Sequence, residues 1–146
     1  MKRFLFICTQ NSARSLMAEG LANHYLKGQV EAQSAGIAPA GVNPFATQVM
    51  AEIRIGISGR RSKYLAELAG QEFDYVISLC SGAQQCPFYF GPGHRLHREF
   101  PDLAAQEGSE AGNIAIFRQV RDAQHQELIP ELEQLSSSAE EPQSGV

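Results

Sequence analysis

The sequence predicts an α/β fold in which a parallel β-sheet lies between helices. Short apolar runs alternate with segments of helical periodicity, which is the pattern of repeated β–α–β units. The clearest runs, at residues 4–7 and 75–79, are apolar almost throughout, as is typical of buried strands. Together these features predict a parallel sheet with helices on both faces.

The first half of the chain predicts two strands and two helices. After the strand at 4–7, a helix begins at Arg14 and carries apolar residues at helical spacing. Alternating polarity at 30–34 predicts a half-buried strand. A loop rich in proline and glycine at 39–44 leads to a second helix. The apolar face of that helix is formed by Ala46, Val49, Met50 and Ile53.

The second half begins with a short helix at 64–68 and the strand at 75–79. A polar strand at 95–100 is expected at the edge of the sheet. A last helix is expected to begin at Asn113, and Pro130 should end or kink it. Residues 1–135 are therefore expected to form a single α/β domain, and the Ser-, Glu- and Pro-rich residues 136–146 are expected to be a disordered tail.

Composition excludes several classes of protein. The 146 residues carry a net charge of −4 and contain no basic tract, which argues against a nucleic-acid partner. No stretch is long and apolar enough to cross a membrane, and the N-terminal apolar run is too short for a signal peptide. Three cysteines cannot all pair, which favours a cytoplasmic protein whose thiols do chemistry. We expect a monomer without metal or cofactor.

The stretch from Cys8 to Ser15, called the anion loop below, is the most informative part of the chain. Its cysteine ends a buried strand, and Arg14 stands where the first helix begins. Backbone N–H groups of such a loop and the positive end of the helix can bind a tetrahedral oxyanion. The Arg14 guanidinium adds a fork of donors that matches two oxygens of the anion. The same positive surroundings favour the thiolate form of Cys8, which would then be a nucleophile.

A second cysteine is expected to face the same crevice. Cys80 follows the strand at 75–79 just as Cys8 follows the strand at 4–7. Ligands of parallel α/β sheets bind beyond the carboxyl ends of the strands. If the two strands are neighbours, both thiols open onto one site.

The motifs of this chain resemble those of cytoplasmic arsenate reductases built on the low-molecular-weight tyrosine phosphatase fold. The resemblance covers residues 4–135 and rests on seven motifs. They are Cys8-x5-Arg14-Ser15, Met17-Ala-Glu-Gly20, Ser34-Ala-Gly36, Gly41-Val-Asn-Pro44, Val76-Ile-Ser-Leu-Cys80, Cys86-Pro87 and Phe117-Arg-Gln-Val-Arg-Asp122. The resemblance implies a three-layer αβα fold around a four-stranded parallel sheet of order 2-1-3-4.

The resemblance also implies a mechanism. Arsenate, or its analogues phosphate and sulfate, would bind the anion loop, and Cys8 would attack the arsenic. Asp102 would protonate the departing oxygen, and Cys80 and Cys86 would form the final disulfide. A thioredoxin-like protein would reduce that disulfide. The implied substrate-binding residues are Thr9, Gln10, Asn11, Ser12, Ala13, Arg14 and Ser15, of which Asn11 would brace the loop and Ser15 would hydrogen-bond the thiolate.

Several positions depart from the family pattern. Gln10 and Ala13 replace a glycine and a cysteine that are common in the family's loop. The Cys80–Cys86 spacing is one residue shorter than in some thioredoxin-coupled members. Asp102 follows Pro101 instead of preceding a proline, and it could simply cap a turn.

A further departure concerns a cation. Some family members hold a potassium ion through a glutamate on the first helix and an acidic residue in a Thr-Ser-Asp stretch. Glu19 is present here, but the matching stretch contains Lys63. We predict that the Lys63 ammonium takes the place of the ion and pairs with Glu19 or Asn11.

Alternative functions stay open on the sequence alone. A low-molecular-weight tyrosine phosphatase would need only Cys8, Arg14 and Asp102. A non-enzymatic thiol sensor would use the loop to bind an anion and the cysteine pair to report oxidation. A zinc site formed by the two cysteines with His94 and His97 is disfavoured, because structural zinc sites space paired ligands about two to four residues apart.

Overall fold

The computed structural model describes residues 1–8, 13–36, 41–60, 62–68, 70–79, 93–100 and 109–137. Its elements are, in chain order, β1 (Lys2–Ile7), α1 (Arg14–Tyr25), β2 (Val30–Ala35), α2 (Pro44–Glu52), a 3₁₀ helix (Leu65–Leu68), β3 (Tyr75–Ser78), β4 (His94–His97) and α3 (Glu110–Ser137).

The four strands form one parallel sheet of order β2-β1-β3-β4, which confirms the predicted topology. Ile7, the last residue of β1, pairs with Ala35 of β2 and with Ser78 of β3. The carboxyl ends of the three strands therefore lie side by side. As predicted, the strand that leads to Cys8 and the strand that leads to Cys80 are neighbours.

The two faces of the sheet have different coverings. Phe4 and Phe6 of β1 point into the main core, which α1, α2 and α3 complete. Leu5 and Ile7 point the other way, into a smaller cluster that includes Leu68 of the 3₁₀ helix. Successive side chains of β1 thus point to opposite faces of the sheet, as the pleat of a strand requires.

The structure explains why particular residues stand in two of the motifs on which the resemblance rests. Asn43 caps α2, since its side-chain oxygen accepts hydrogen bonds from the backbone N–H of Phe45 at 2.8 Å and of Ala46 at 3.4 Å, while Pro44 opens the helix. Gly20 lies where a Cβ atom would be only 3.1 Å from Ile57. The missing side chain lets the segment after α2 approach α1 closely.

Several boundaries differ from the prediction. β4 ends at His97 instead of residue 100, although the N–H groups of Arg98 and Phe100 still donate to carbonyls of the β3 segment. α3 begins at Glu110, because Ser109 caps it by accepting a hydrogen bond from Gly112 N–H at 3.0 Å. Pro130 lies inside α3, which continues to Ser137, two residues into the predicted tail. Residues 138–146 lie outside the described part of the chain.

Within the described part of the chain, no helix has the length and apolar character needed to span a lipid bilayer.

Candidate active site

Cys8 extends β1 by one residue at the carboxyl edge of the sheet. Its backbone N–H donates to the Ala35 carbonyl at 3.2 Å, which fixes the cysteine main chain to the neighbouring strand. The residue is 2% exposed and its thiol is not in a disulfide. A buried thiol at the end of a central strand is held at a defined position, as a nucleophile must be.

The Cys8 thiol is hydrogen-bonded to the Ser15 hydroxyl. The Ser15 Oγ lies 2.9 Å from the Cys8 Sγ, and the serine side chain is fully buried. When Cys8 is a thiolate, the hydroxyl is the donor of this hydrogen bond. A charge-assisted bond of this kind stabilises the ionised sulfur. Ser15 lies in the first turn of α1, so the positive end of the helix points to the same region.

Arg14 is held in place through its side chain and its main chain. Its Nη1 donates to the Phe100 carbonyl at 3.3 Å, just beyond β4. Its own carbonyl accepts a hydrogen bond from Gln124 Nε2 of α3 at 3.0 Å. The arginine is only 4% exposed, so water screens its charge little at the end of the sheet where the Cys8 thiol lies.

One turn after Ser15, α1 carries a buried carboxylate, Glu19, which is 2% exposed. Ser34 Oγ donates to its Oε1 at 3.2 Å, the Arg60 guanidinium lies 3.6 Å from its Oε2, and Lys63 Nζ lies 4.0 Å from Oε1. Burial raises the pKa of Glu19, while the two cations and the serine act in the opposite direction. The predicted pairing of Lys63 with Glu19 is confirmed.

The β3 strand brings the chain towards Cys80 at the same edge. Leu79 N–H donates to the Ile7 carbonyl at 2.8 Å, so the backbone one residue before Cys80 still lies against the end of β1. Beside it, Ser78 Oγ and His97 Nδ1 of β4 form a hydrogen bond of 2.7 Å. The described chain that leads to Cys80 therefore lies, as far as Leu79, beside the strand that carries Cys8.

The remaining residues predicted for the site lie outside the described part of the chain. These are Thr9, Gln10, Asn11 and Ser12 of the anion loop, and Cys80, Cys86 and Asp102. Of the predicted site residues that are described, Cys8, Ala13, Arg14 and Ser15 lie together at the carboxyl ends of the strands. The described residues contain no group of three or more His, Cys, Asp or Glu side chains that could hold a metal ion.

Sequence reasoning missed two groups that contact Arg14. Phe100 acts through its main-chain carbonyl, which no side-chain pattern can reveal. Gln124 had a signal, because it lies four residues after Val120 and four before Leu128 on the buried face of α3. A glutamine in such a stripe indicates a polar contact inside the core.

A thiol beside a serine hydroxyl, a buried arginine and a helix N-terminus is an arrangement that can attack a tetrahedral oxyanion. In this protein these groups lie at the carboxyl edge of a parallel sheet of order β2-β1-β3-β4. Residues 3–139 match the low molecular weight phosphotyrosine protein phosphatase family, and the chain belongs to it.

Several similar proteins of this fold are arsenate reductases. The arsenate reductase of Halalkalibacterium halodurans is 42% identical over 83% of this chain and 88% of its own length. A solved arsenate reductase in its oxidized state superposes with a TM-score of 0.74, at 30% identity over 94% of this chain and all of the other. A thioredoxin-dependent arsenate reductase of Corynebacterium glutamicum gives a TM-score of 0.65 at 30% identity over 93% of this chain and 62% of the other. Family and relatives together support an enzyme.

Proposed function

We propose that the protein reduces arsenate to arsenite. The observation that carries this proposal is the position of Cys8, which contacts Ser15 and Arg14's helix at the end of β1, directly beside the strand that leads to Cys80. A phosphatase needs the first of these features alone. A reductase needs both, because a second thiol must reach the first.

In the first step, arsenate binds the anion loop with Arg14 opposite its negative oxygens. The Cys8 thiolate attacks arsenic and forms an S–As(V) bond, and one arsenate oxygen leaves as water. Asp102 supplies a proton for that departure, which is an acid–base role typically worth about 10²–10⁴-fold in rate. Until then, the Ser15 hydroxyl stabilises the attacking sulfur at 2.9 Å.

In the second step, the Cys80 thiolate attacks the Cys8 sulfur. An S–S bond forms, the S–As bond breaks, and its electron pair stays on arsenic, which leaves as arsenite. Cys86 then attacks the Cys80 sulfur and displaces Cys8 as a thiolate. Two thiols have been oxidised to one disulfide, and As(V) has been reduced to As(III).

A dithiol protein of the thioredoxin type closes the cycle by reducing the Cys80–Cys86 disulfide. The Corynebacterium relative, which is described as thioredoxin-dependent, supports this reductant. Re-reduction also suits a cytoplasmic location, where thiols are kept reduced. The same anion loop is expected to retain some phosphatase activity, because aryl phosphates offer a tetrahedral centre to the same nucleophile.

Reductant consumption driven by arsenate tests the proposal, with thioredoxin and glutaredoxin systems compared side by side. Cys8→Ser should lose both arsenate reduction and aryl phosphate hydrolysis. Cys80→Ser and Cys86→Ser should lose multiple-turnover reduction and keep hydrolysis. Sustained turnover by Cys80→Ser would contradict the relay. Hydrolysis without any arsenate-dependent electron demand would indicate a phosphatase, and the absence of both activities would favour an anion-binding thiol sensor.

A further inference from the structure

The buried face of α3 contains one uncharged polar residue whose position is unexpected. Gln124 is fully buried, and apart from Arg121 the other buried positions of this helix are apolar. They include Phe117, Val120, Leu128 and Leu132. An apolar side chain would fill position 124 without the cost of removing an amide from water. The amide must therefore be explained by what it contacts.

The contact is with the main chain of Arg14. Gln124 Nε2 donates to the Arg14 carbonyl at 3.0 Å, across a sequence separation of 110 residues. The amide oxygen, Oε1, has no hydrogen-bond partner among the described residues. Only the donor half of the amide is thus used within this part of the structure, and it is used on the first residue of α1.

We propose that Gln124 is a positioning residue for Arg14. By holding the carbonyl at the start of α1, it fixes the first helical turn, and with it the direction in which the guanidinium leaves the main chain. The guanidinium itself is held at Phe100, whose carbonyl accepts a hydrogen bond from Arg14 Nη1 at 3.3 Å. A forked donor recognises two oxygens of an anion only in a narrow range of orientations, so a small rotation of that turn weakens binding.

A separate contact keeps α3 in its place. Arg121, one turn before Gln124, donates to the Val49 carbonyl of α2 at 2.8 Å and to Glu52 Oε1 at 2.8 Å. Together with the apolar contacts, these bonds dock α3 on α2 without using Gln124. Loss of the Gln124 amide is therefore expected to change the orientation of the Arg14 guanidinium and to leave the fold intact.

Gln124→Met tests the proposal, because methionine has a similar shape and no donor. Val120→Ala is the matched control, since it alters the same buried face of α3 without removing a hydrogen-bond donor. Isothermal titration with inorganic phosphate should show binding weakened by about tenfold or more in Gln124→Met, the scale on which misplaced binding groups act. Val120→Ala should lower thermal stability and bind phosphate as the wild type does.

A double-mutant cycle with Arg14→Lys separates positioning from general destabilisation. If Gln124 acts through Arg14, Gln124→Met should weaken phosphate binding much less in the Arg14→Lys background than in the wild type. Equal weakening in both backgrounds, or wild-type affinity in Gln124→Met, would overturn the proposal. The inference rests on the anion site of the proposed function, but phosphate binding needs neither Cys80 nor Cys86. Failure of arsenate reduction alone would thus leave it standing.

Discussion

Ser15→Ala should make Cys8 a poorer nucleophile by removing the hydroxyl that contacts its sulfur. The 2.9 Å bond joins two buried side chains, so water does not readily replace the lost donor. A hydrogen bond to a charged group contributes about 1.5–3 kcal/mol. At 1.36 kcal/mol per factor of ten, the rate at which Cys8 attacks a small electrophile should fall roughly 10- to 150-fold.

The assay is the rate of Cys8 alkylation by a small reagent at one fixed, near-neutral pH. Replacement of Cys80 and Cys86 by serine removes competing thiols from the measurement. In that background, Ser15→Ala should slow alkylation by the factor given above.

Ser34→Ala is the matched control, because Ser34 is equally buried and its hydroxyl contacts Glu19 instead of Cys8. It should leave the alkylation rate unchanged. An unchanged rate in a folded Ser15→Ala protein would refute the assigned role of the hydroxyl. Equally slowed alkylation in both serine variants would indicate a general disturbance of the site.

Three further predictions concern the charges around the anion loop. Sulfate, phosphate or arsenate at a hundred times its dissociation constant should stabilise the folded protein by about 2.7 kcal/mol; Arg14→Ala should show much less stabilisation in a thermal melt, and equal stabilisation would mean that binding is nonspecific. Because Lys63 lies 4.0 Å from Glu19, activity and melting temperature should be the same in potassium and sodium salts at matched ionic strength; potassium-specific activation would contradict this, whereas Lys63→Asp should create a potassium dependence. The folded-state pKa of Glu19 is raised above 4.5, so the contribution of this group to the free energy of unfolding should fall as pH rises from below 4.5 through the raised value. Urea titrations at several pH values should show this fall in the wild type but not in Glu19→Gln. Parallel pH dependences of the two proteins would refute the prediction.

The strands and the nucleophile could be predicted from the sequence because their signals are local. The apolar run before Cys8 and the run at 75–79 are short and clearly bounded, and both became central strands. The neighbouring position of these strands followed from the resemblance, and the sheet order confirms it. Lys63 was paired with Glu19 correctly because the family pattern placed both beside one cation.

The boundaries were harder to predict because tertiary contacts decide them. α3 continues past Pro130, since Leu128, Ile129 and Leu132 around the proline are buried and their packing stabilises the helix. Its first turn contains Gly112 and has no apolar periodicity, so only the cap by Ser109 marks the start. Arg14 accepts a hydrogen bond from Gln124 of α3 and donates one to the Phe100 carbonyl. Both bonds join residues about a hundred positions apart in the chain, which no local pattern encodes.

The most direct test of the reductase mechanism is a single turnover of the fully reduced enzyme with arsenate and no external reductant. The account predicts one arsenite released per enzyme, the loss of two thiols, and a Cys80–Cys86 disulfide in the peptide map. Arsenite should not form with Cys8→Ser under the same conditions. Arsenate bound without thiol loss or arsenite release would contradict the account.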